Sequence, residues 1–155
     1  KKAVVLGAGG AARAVCFALG ELCFEQIVIS NRTLDRAKNL SSVINSPSSI
    51  ADWESRSEIL QGADLLVNTT SLGMKGKEEL NIDLFLLPKT ALVTDIVYSP
   101  LLTPLLAQAQ DRGNPVTDGL GMLLHQAVPA FEAWFGVRPE VNEELRKHVL
   151  CGIAQ

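Results

Sequence analysis

Apolar and polar residues follow one another along this chain in short blocks whose period switches repeatedly between that of a strand and that of a helix. The first block, Ala3 to Leu6, is apolar and of strand length. It breaks at Gly7-Ala8-Gly9-Gly10 and gives way to an Ala-rich stretch from Ala11 to about Leu22, in which Val15, Leu19 and Leu22 recur at helical spacing. Gln26-Ile27-Val28-Ile29-Ser30 is β-branched and suits a strand buried on both faces of a parallel sheet. Thr33 reads as the N-cap of a second helix whose buried stripe is Leu34, Ala37, Leu40 and Ile44.

Beyond Ser41 the pattern weakens, and a Ser-rich stretch containing Pro47 predicts a loop with a short edge strand from Ser49 to Ala51. Glu54 to Gln61 predicts a short helix ended by Gly62. Ala63 to Thr70 is a fourth strand, whose hydroxyls and amides face a ligand crevice and lead into Ser71-Leu72-Gly73-Met74; Lys75 to Glu79 is a solvated loop. A fifth strand spans Ala91 to Tyr98. Thr103-Pro104 is a cap followed by Pro at the first helical position, so Leu105 to Arg112 is a helix stopped by Gly113. Val116 to Asp118 is a sixth strand, Gly119 to Met122 a flexible turn, Leu123 to Phe135 a helix and Glu140 to Ile153 a closing helix. With no repeat or linker, residues 1–155 are expected to form one α/β domain. Its core is a doubly wound parallel sheet of order 3-2-1-4-5-6 with helices on both faces.

The break after the first strand carries candidate chemistry. Gly7 permits a tight turn, Gly9 lets the backbone approach a pyrophosphate, and Ala12 is small enough for the helix to sit close to the strand, which together form a dinucleotide fingerprint in strand-turn-helix context. The N–H groups opening that helix favour negative charge. An acidic residue about twenty positions beyond such glycines accepts ribose hydroxyls, whereas this chain has Asn31 and then Arg32. Carboxylate there would repel a 2′-phosphate; Arg grips one with a fork of donors. Arg36 lies in the first turn of its helix, where a cation is disfavoured by roughly a few tenths of a kcal/mol, partly offset by Asp35. A phosphate docked between Arg32 and Arg36 accounts for that misfit; the alternative is that both are solvated surface charges.

Composition narrows the classes. A chain of 155 residues that is 47% hydrophobic suffices for a sizeable core. A net charge of −3 without a basic block argues against nucleic-acid or membrane-surface partners. No apolar run approaches the roughly 18 residues that span a bilayer, and no signal-peptide pattern opens the chain. Cys16, Cys23 and Cys151 are odd in number and lack metal-like spacing, which suggests reduced thiols in a cytoplasmic protein. Tyr98 would suit a short-chain dehydrogenase, but Leu102 stands where that pattern needs Lys. His125 and His148 have no Cys or Asp partner at motif spacing, and no metal set, P-loop or nucleophile elbow appears, so neither a catalytic residue nor a metal is assigned. The chain lacks an initiator Met and enters its nucleotide strand at once, so it reads as a piece of a longer protein.

Five blocks together resemble the shikimate dehydrogenases: Gly7-Ala8-Gly9-Gly10-Ala11-Ala12-Arg13, Asn31-Arg32-Thr33-Leu34-Asp35-Arg36, Asn68-Thr69-Thr70-Ser71-Leu72-Gly73-Met74, Asp95-Ile96-Val97-Tyr98-Ser99-Pro100 and Asp118-Gly119-Leu120-Gly121-Met122-Leu123-Leu124-His125-Gln126-Ala127. The resemblance covers essentially the whole chain and implies reversible hydride transfer between NADP(H) and the 3-dehydroshikimate/shikimate pair of aromatic amino acid biosynthesis. It implies that Gly7, Ala8, Gly9, Gly10 and Ala11 hold the pyrophosphate and that Asn31, Arg32, Thr33 and Arg36 hold the 2′-phosphate. Ile96 and Gly119 would flank the nicotinamide, Tyr98 and Gln126 would touch the substrate, and Met122 would pack near the reacting centre; Gln126 as a plain helix-surface amide is the other reading. The family's catalytic Lys and Asp lie in an amino-terminal substrate domain whose Asn-Val-Thr-x-Pro-x-Lys block has no counterpart here. The chain is thus expected to bind cofactor without turnover. Two rivals are an NAD-using quinate/shikimate dehydrogenase, against which Asn31-Arg32 argues, and a non-enzymatic nucleotide sensor. A homodimer is compatible with the sequence.

Overall fold

The computed structural model describes residues 1–153, which build a six-stranded, all-parallel sheet. The strands are β1 (Lys2–Leu6), β2 (Gln26–Ser30), β3 (Ser48–Ala51), β4 (Leu65–Asn68), β5 (Leu92–Asp95) and β6 (Val116–Thr117), in the order β3-β2-β1-β4-β5-β6. The order reverses between β1 and β4, so their carboxyl ends open the crevice in which a doubly wound sheet takes its ligand. In register, Leu6 stands opposite Ser30 on one side and Asn68 on the other.

Alternation along β1 divides the core between the two faces of the sheet. Ala3 and Val5, with Ile27 and Ile29 of β2, pack against Ala12, Cys16 and Leu19 of α1 (Gly10–Glu21) and Ala37 and Leu40 of α2 (Leu34–Val43). Val4, Leu6, Val28, Leu66 and Val93 face the other way, toward Leu105, Leu106 and Ala109 of α3 (Pro104–Asp111) and the loop residues Leu60, Leu72 and Leu84. Burying Ala3, Val4, Val5 and Leu6 completely explains why this strand is apolar at successive positions. α4 (Leu120–Phe135) and α5 (Glu143–Ile153) follow the last strand and pack on one another.

Several local expectations change. Leu22 is exposed, because α1 ends one residue earlier and turns its Ala12-Cys16-Leu19 stripe inward instead. Residues 54–61 form two 3-10 turns, Trp53–Ser55 and Glu58–Leu60, in place of one helix. Between them Arg56 and Ser57 serve a distant loop: Arg56 donates to Asn81 O at 2.7 Å and Trp53 O at 2.8 Å, while Ser57 Oγ accepts from Asp83 N at 3.0 Å. β4 and β5 stop at Asn68 and Asp95, short of the extents expected from their apolar runs. Residues Leu120 to Met122 belong to α4 and are not a flexible turn: Asp118 Oδ1 accepts from Leu120 N at 3.0 Å and starts the helix. The closing helix begins at Glu143, where Asn142 Oδ1 accepts from Leu145 N at 2.9 Å.

Candidate functional site

The crevice is framed by the turn after β1 and the turn after β4. Gly7 has φ +110°, a conformation that L side chains rarely adopt, and a Cβ built there would lie 2.4 Å from Thr69 Oγ1. The two turns are fastened together. Gly7 N donates to Ser30 O at 2.8 Å, and Leu6 O accepts from both Thr69 N at 2.8 Å and Thr69 Oγ1 at 2.7 Å. At Gly9 and Gly10, by contrast, a Cβ would meet nothing within 4 Å, so the backbone that opens α1 is bare toward the crevice. Gly9 occupies the N-cap of α1 without a side-chain bond, and no acidic residue stands in the first turn. Bare N–H groups at a helix start suit an anion.

Two recesses meet at Ala8 and Gly9. One, of about 170 Å³, is lined by Gly7, Asn31, Arg32, Trp53, Thr69 and Thr70 among others. The second, of about 510 Å³, is lined by Gly10, Arg13, Arg36, Asn39, Leu40 and Val43 as well. Arg32 and Arg36, expected to share one phosphate, thus line different recesses. Asn31 turns its amide to Thr33 O at 2.8 Å, which orders the bend between β2 and α2. Thr33 takes the N-cap position, but its hydroxyl makes no bond to the helix; its carbonyl accepts from Arg36 N at 3.1 Å. Among the described residues Arg13, Arg32 and Arg36 form no ion pair, while Asp35 is engaged by Lys38 at 3.8 Å.

A buried polar chain supports the floor. Asn68, expected to face ligand, is fully buried: Nδ2 donates to Asp95 Oδ1 at 3.0 Å and Leu72 O at 3.2 Å, and Oδ1 accepts from Thr70 N at 3.0 Å and Thr70 Oγ1 at 2.7 Å. Asp95 accepts further bonds from Val97 N at 3.0 Å and Thr103 Oγ1 at 2.8 Å. Thr103 in turn caps α3 by accepting from Leu106 N. Burial pushes the Asp95 carboxyl above the usual range, against the opposing pull of the donors from Val97, Asn68 and Thr103. This chain ties the ends of β4 and β5 to the start of α3, and Ile96 and half-buried Tyr98 follow directly from it. Gly119 lies against the same segment: a Cβ there would fall 2.3 Å from Ile96 O and 2.6 Å from Val97 O. Gln126 is exposed on α4, roughly two turns beyond Gly119. Met122 is half-buried in the first turn of the same helix.

The sequence pattern places Arg13 within the fingerprint without giving it a role, and it does not assign Asn39 or Trp53 to the site; Thr69 and Thr70 line the smaller recess, as expected of hydroxyls at the end of the fourth strand. The available signal for Arg13 is the one that singles out Arg36, a cation in a first helical turn. Among the described residues no group of His, Cys, Asp or Glu could hold a metal, and no helix is long and apolar enough to cross a membrane. Both histidines are exposed.

Residues 1–80 match the family model described as "Shikimate / quinate 5-dehydrogenase". The chain belongs to that family. Residues 119–143 match a second family model, described as "Shikimate 5'-dehydrogenase C-terminal domain". The shikimate dehydrogenase (NADP(+)) of Paramagnetospirillum magneticum is 56% identical over 148 residues, covering 96% of this chain and 54% of that protein. That of Dinoroseobacter shibae is 55% identical, with 96% and 53% covered. The chain spans about half the length of the curated relatives it matches. Among solved structures, quinate dehydrogenase from Corynebacterium glutamicum in complex with NAD superposes with TM-score 0.89 at 32% identity, covering 97% of this chain and 55% of that one. Shikimate 5-dehydrogenase from Thermus thermophilus in complex with NADP(H) and shikimate gives TM-score 0.75 at 38% identity, with 89% and 50% covered.

Proposed function

We propose that residues 1–155 are the NADP-binding domain of a shikimate dehydrogenase, an oxidoreductase that interconverts 3-dehydroshikimate and shikimate. The observation that carries this reading is the end of β2, where Asn31-Arg32 stands in place of a carboxylate beside the bare Gly9-Gly10 turn. A dinucleotide fits these residues: the turn has open space where the pyrophosphate approaches, and guanidinium groups without an ion pair among the described residues flank it. Gly7, Ala8, Gly9, Gly10 and Ala11 would hold the pyrophosphate, and Asn31, Arg32, Thr33 and Arg36 the adenosine 2′-phosphate.

When bound, the nicotinamide supplies or accepts the hydride. The chain's own task is orientation. Ile96 and the Gly119 backbone wall the nicotinamide end, and the Asn68-Asp95-Thr103 bonds fix that wall relative to the β4 turn. Tyr98, with its hydroxyl free of partners among the described residues, and exposed Gln126 would contact the substrate's hydroxyl groups. The proton that accompanies hydride transfer would come from Lys and Asp of an amino-terminal substrate domain, so this chain alone binds nucleotide without turnover. Losing an acid–base group typically costs about 10²–10⁴-fold in rate, and losing the substrate pocket removes positioning as well.

Calorimetric titration of the chain with NADP⁺ and NAD⁺ at fixed moderate salt tests the reading. The expected result is a preference for NADP⁺ that Arg32→Ala diminishes, with no oxidation of shikimate. Equal or tighter NAD⁺ binding would overturn it in favour of an NAD-using quinate-type enzyme, the reading that the Corynebacterium likeness supports. Turnover by the chain alone would refute the assignment of acid–base chemistry to another domain.

A further inference from the structure

We propose that Arg146 of α5 is a positioning residue for the nicotinamide end of the site, acting through Asp118 on the turn that carries Gly119. The inference rests on the reading above, in which the Gly119 backbone walls the nicotinamide, and adds a restraint that reaches this wall from the closing helix. The sheet releases the chain just before the turn: β6 is two residues long, and its last pairing is Thr117 with Thr94. Asp118 then divides its carboxylate between two elements. Oδ1 accepts from Leu120 N at 3.0 Å at the start of α4, and Oδ2 accepts from Arg146 Nη2 at 2.6 Å, 28 positions away. Gly119 is the next residue, and a Cβ there would fall 2.3 Å from Ile96 O. With so little clearance, a turn that rotates to follow a freed carboxylate moves the wall itself.

The two side chains are 27% and 24% exposed, so solvent screens this pair less than an ordinary surface pair. Both border a groove of about 960 Å³ between α3, β6, α4 and α5, which Glu140 and Glu143 also border. Among the described residues of that groove Arg146 is the only Lys or Arg, and it engages Asp118. Removing its charge leaves three carboxylates around one groove, and their repulsion favours turning Asp118 out toward water. Apolar packing holds α5 loosely. None of residues 143–152 is buried, and Leu145 and Val149 border an apolar recess of about 400 Å³ against α4. Among the described residues, the Arg146 bond is the one side-chain hydrogen bond that joins α5 to any residue beyond its Asn142 cap. The contact thus sets where α5 meets the site and, in the same step, which way Asp118 faces.

Three ligands separate positioning of the nicotinamide from general support of the fold: NADP⁺, adenosine 2′,5′-bisphosphate, which lacks the nicotinamide half, and NADPH followed by its emission. They are titrated into the chain, Arg146→Met, Arg146→Lys, Asp118→Asn and the double variant Asp118→Asn/Arg146→Met. Arg146→Met keeps the apolar stem and removes the charge. It is expected to weaken NADP⁺ about fivefold and to reduce the rise in NADPH emission on binding, while leaving the bisphosphate within about twofold. Arg146→Lys should restore both signals, because a single donor reaches Asp118 and the guanidinium fork is not used. The double variant should bind NADP⁺ no more weakly than Asp118→Asn, as one residue acting through the other requires. Equal weakening of NADP⁺ and the bisphosphate would overturn the proposal in favour of a purely structural role for α5. Unchanged NADP⁺ affinity and emission in Arg146→Met, or additive losses in the double variant, would overturn it as well. If the unmodified chain binds NADP⁺ and the bisphosphate equally well and NADPH emission does not rise, the Gly119 wall receives no nicotinamide, and the inference falls while the cofactor reading survives. Failure of the unmodified chain to bind any of the three would remove that reading and this inference together.

Discussion

Replacing Gly119 by Ala tests how tightly α4 is seated on the end of β5. The backbone at Gly119, with φ −77° and ψ −7°, is one that Ala adopts freely, so any penalty is steric and not conformational. The added Cβ would stand 2.3 Å from Ile96 O, 2.5 Å from Ile96 C and 2.6 Å from Val97 O, where ordinary contact begins at 3.4 Å. All three are backbone atoms, and their peptides are held: Ile96 N donates to Asn68 O at 3.1 Å and Val97 N to Asp95 Oδ1 at 3.0 Å. The helix start must therefore retreat by about 1 Å, which strains the hydrogen bond from Leu120 N to Asp118 Oδ1 and opens the wall between Ile96 and α4. Overpacking of this kind costs about 1–3 kcal/mol, and with no flexible side chain to absorb it the upper half of that range is expected. For a domain of this size the melting temperature should fall by roughly 4–12 °C. Gly121→Ala supplies the contrast. It lies in the same helix with nothing within 4 Å of its added methyl, and should stabilise by about 0.5–1 kcal/mol through helix propensity alone. Urea unfolding followed by circular dichroism reads both variants. A Gly119→Ala change below about 0.5 kcal/mol, within the range of ordinary surface substitutions, would refute the close seating of α4.

The raised carboxyl of Asp95 predicts a pH dependence. A folded-state value above the ordinary 3.8 means that its contribution to stability is fully present below that value and is lost as pH rises through the higher folded value. Asp95→Asn removes this slope, so urea midpoints of the two proteins measured across the weakly acidic range should diverge in favour of the variant as pH rises; parallel curves would contradict the burial argument. Cys16 is fully buried and its thiol is pushed up to about 11, whereas Cys23 and Cys151 are exposed. Labelling of the folded chain at pH 8 with a thiol reagent should consume two thiols rapidly and the third only after denaturation. Rapid modification of all three would mean that the α1 face of the core opens readily.

What could be read from the sequence, and what could not, follows the range of the interactions involved. The β1-α1-β2 unit was legible because a strand, a glycine turn and a helix start are set by neighbours a few positions apart, and the strand order followed from the alternation of strand and helix. The turns at residues 53–60 were not, because the Arg56 and Ser57 side chains tie this segment to the backbone of Asn81 and Asp83, 25 and 26 positions away. The start of α4 was hidden for a similar reason. Gly-Leu-Gly has the composition of a flexible turn, and only the proximity of the Ile96 carbonyl shows that the first glycine is there for clearance. Asn68 illustrates the same limit at the site itself. At the carboxyl end of a crevice strand a polar residue is expected to meet ligand, yet its partner 27 positions away, Asp95, draws the side chain inward. The groups left to line the crevice are then the Gly9-Gly10 backbone, the residues Trp53, Thr69 and Thr70, and the guanidinium groups of Arg13, Arg32 and Arg36, which only the folding of separate segments brings to one groove.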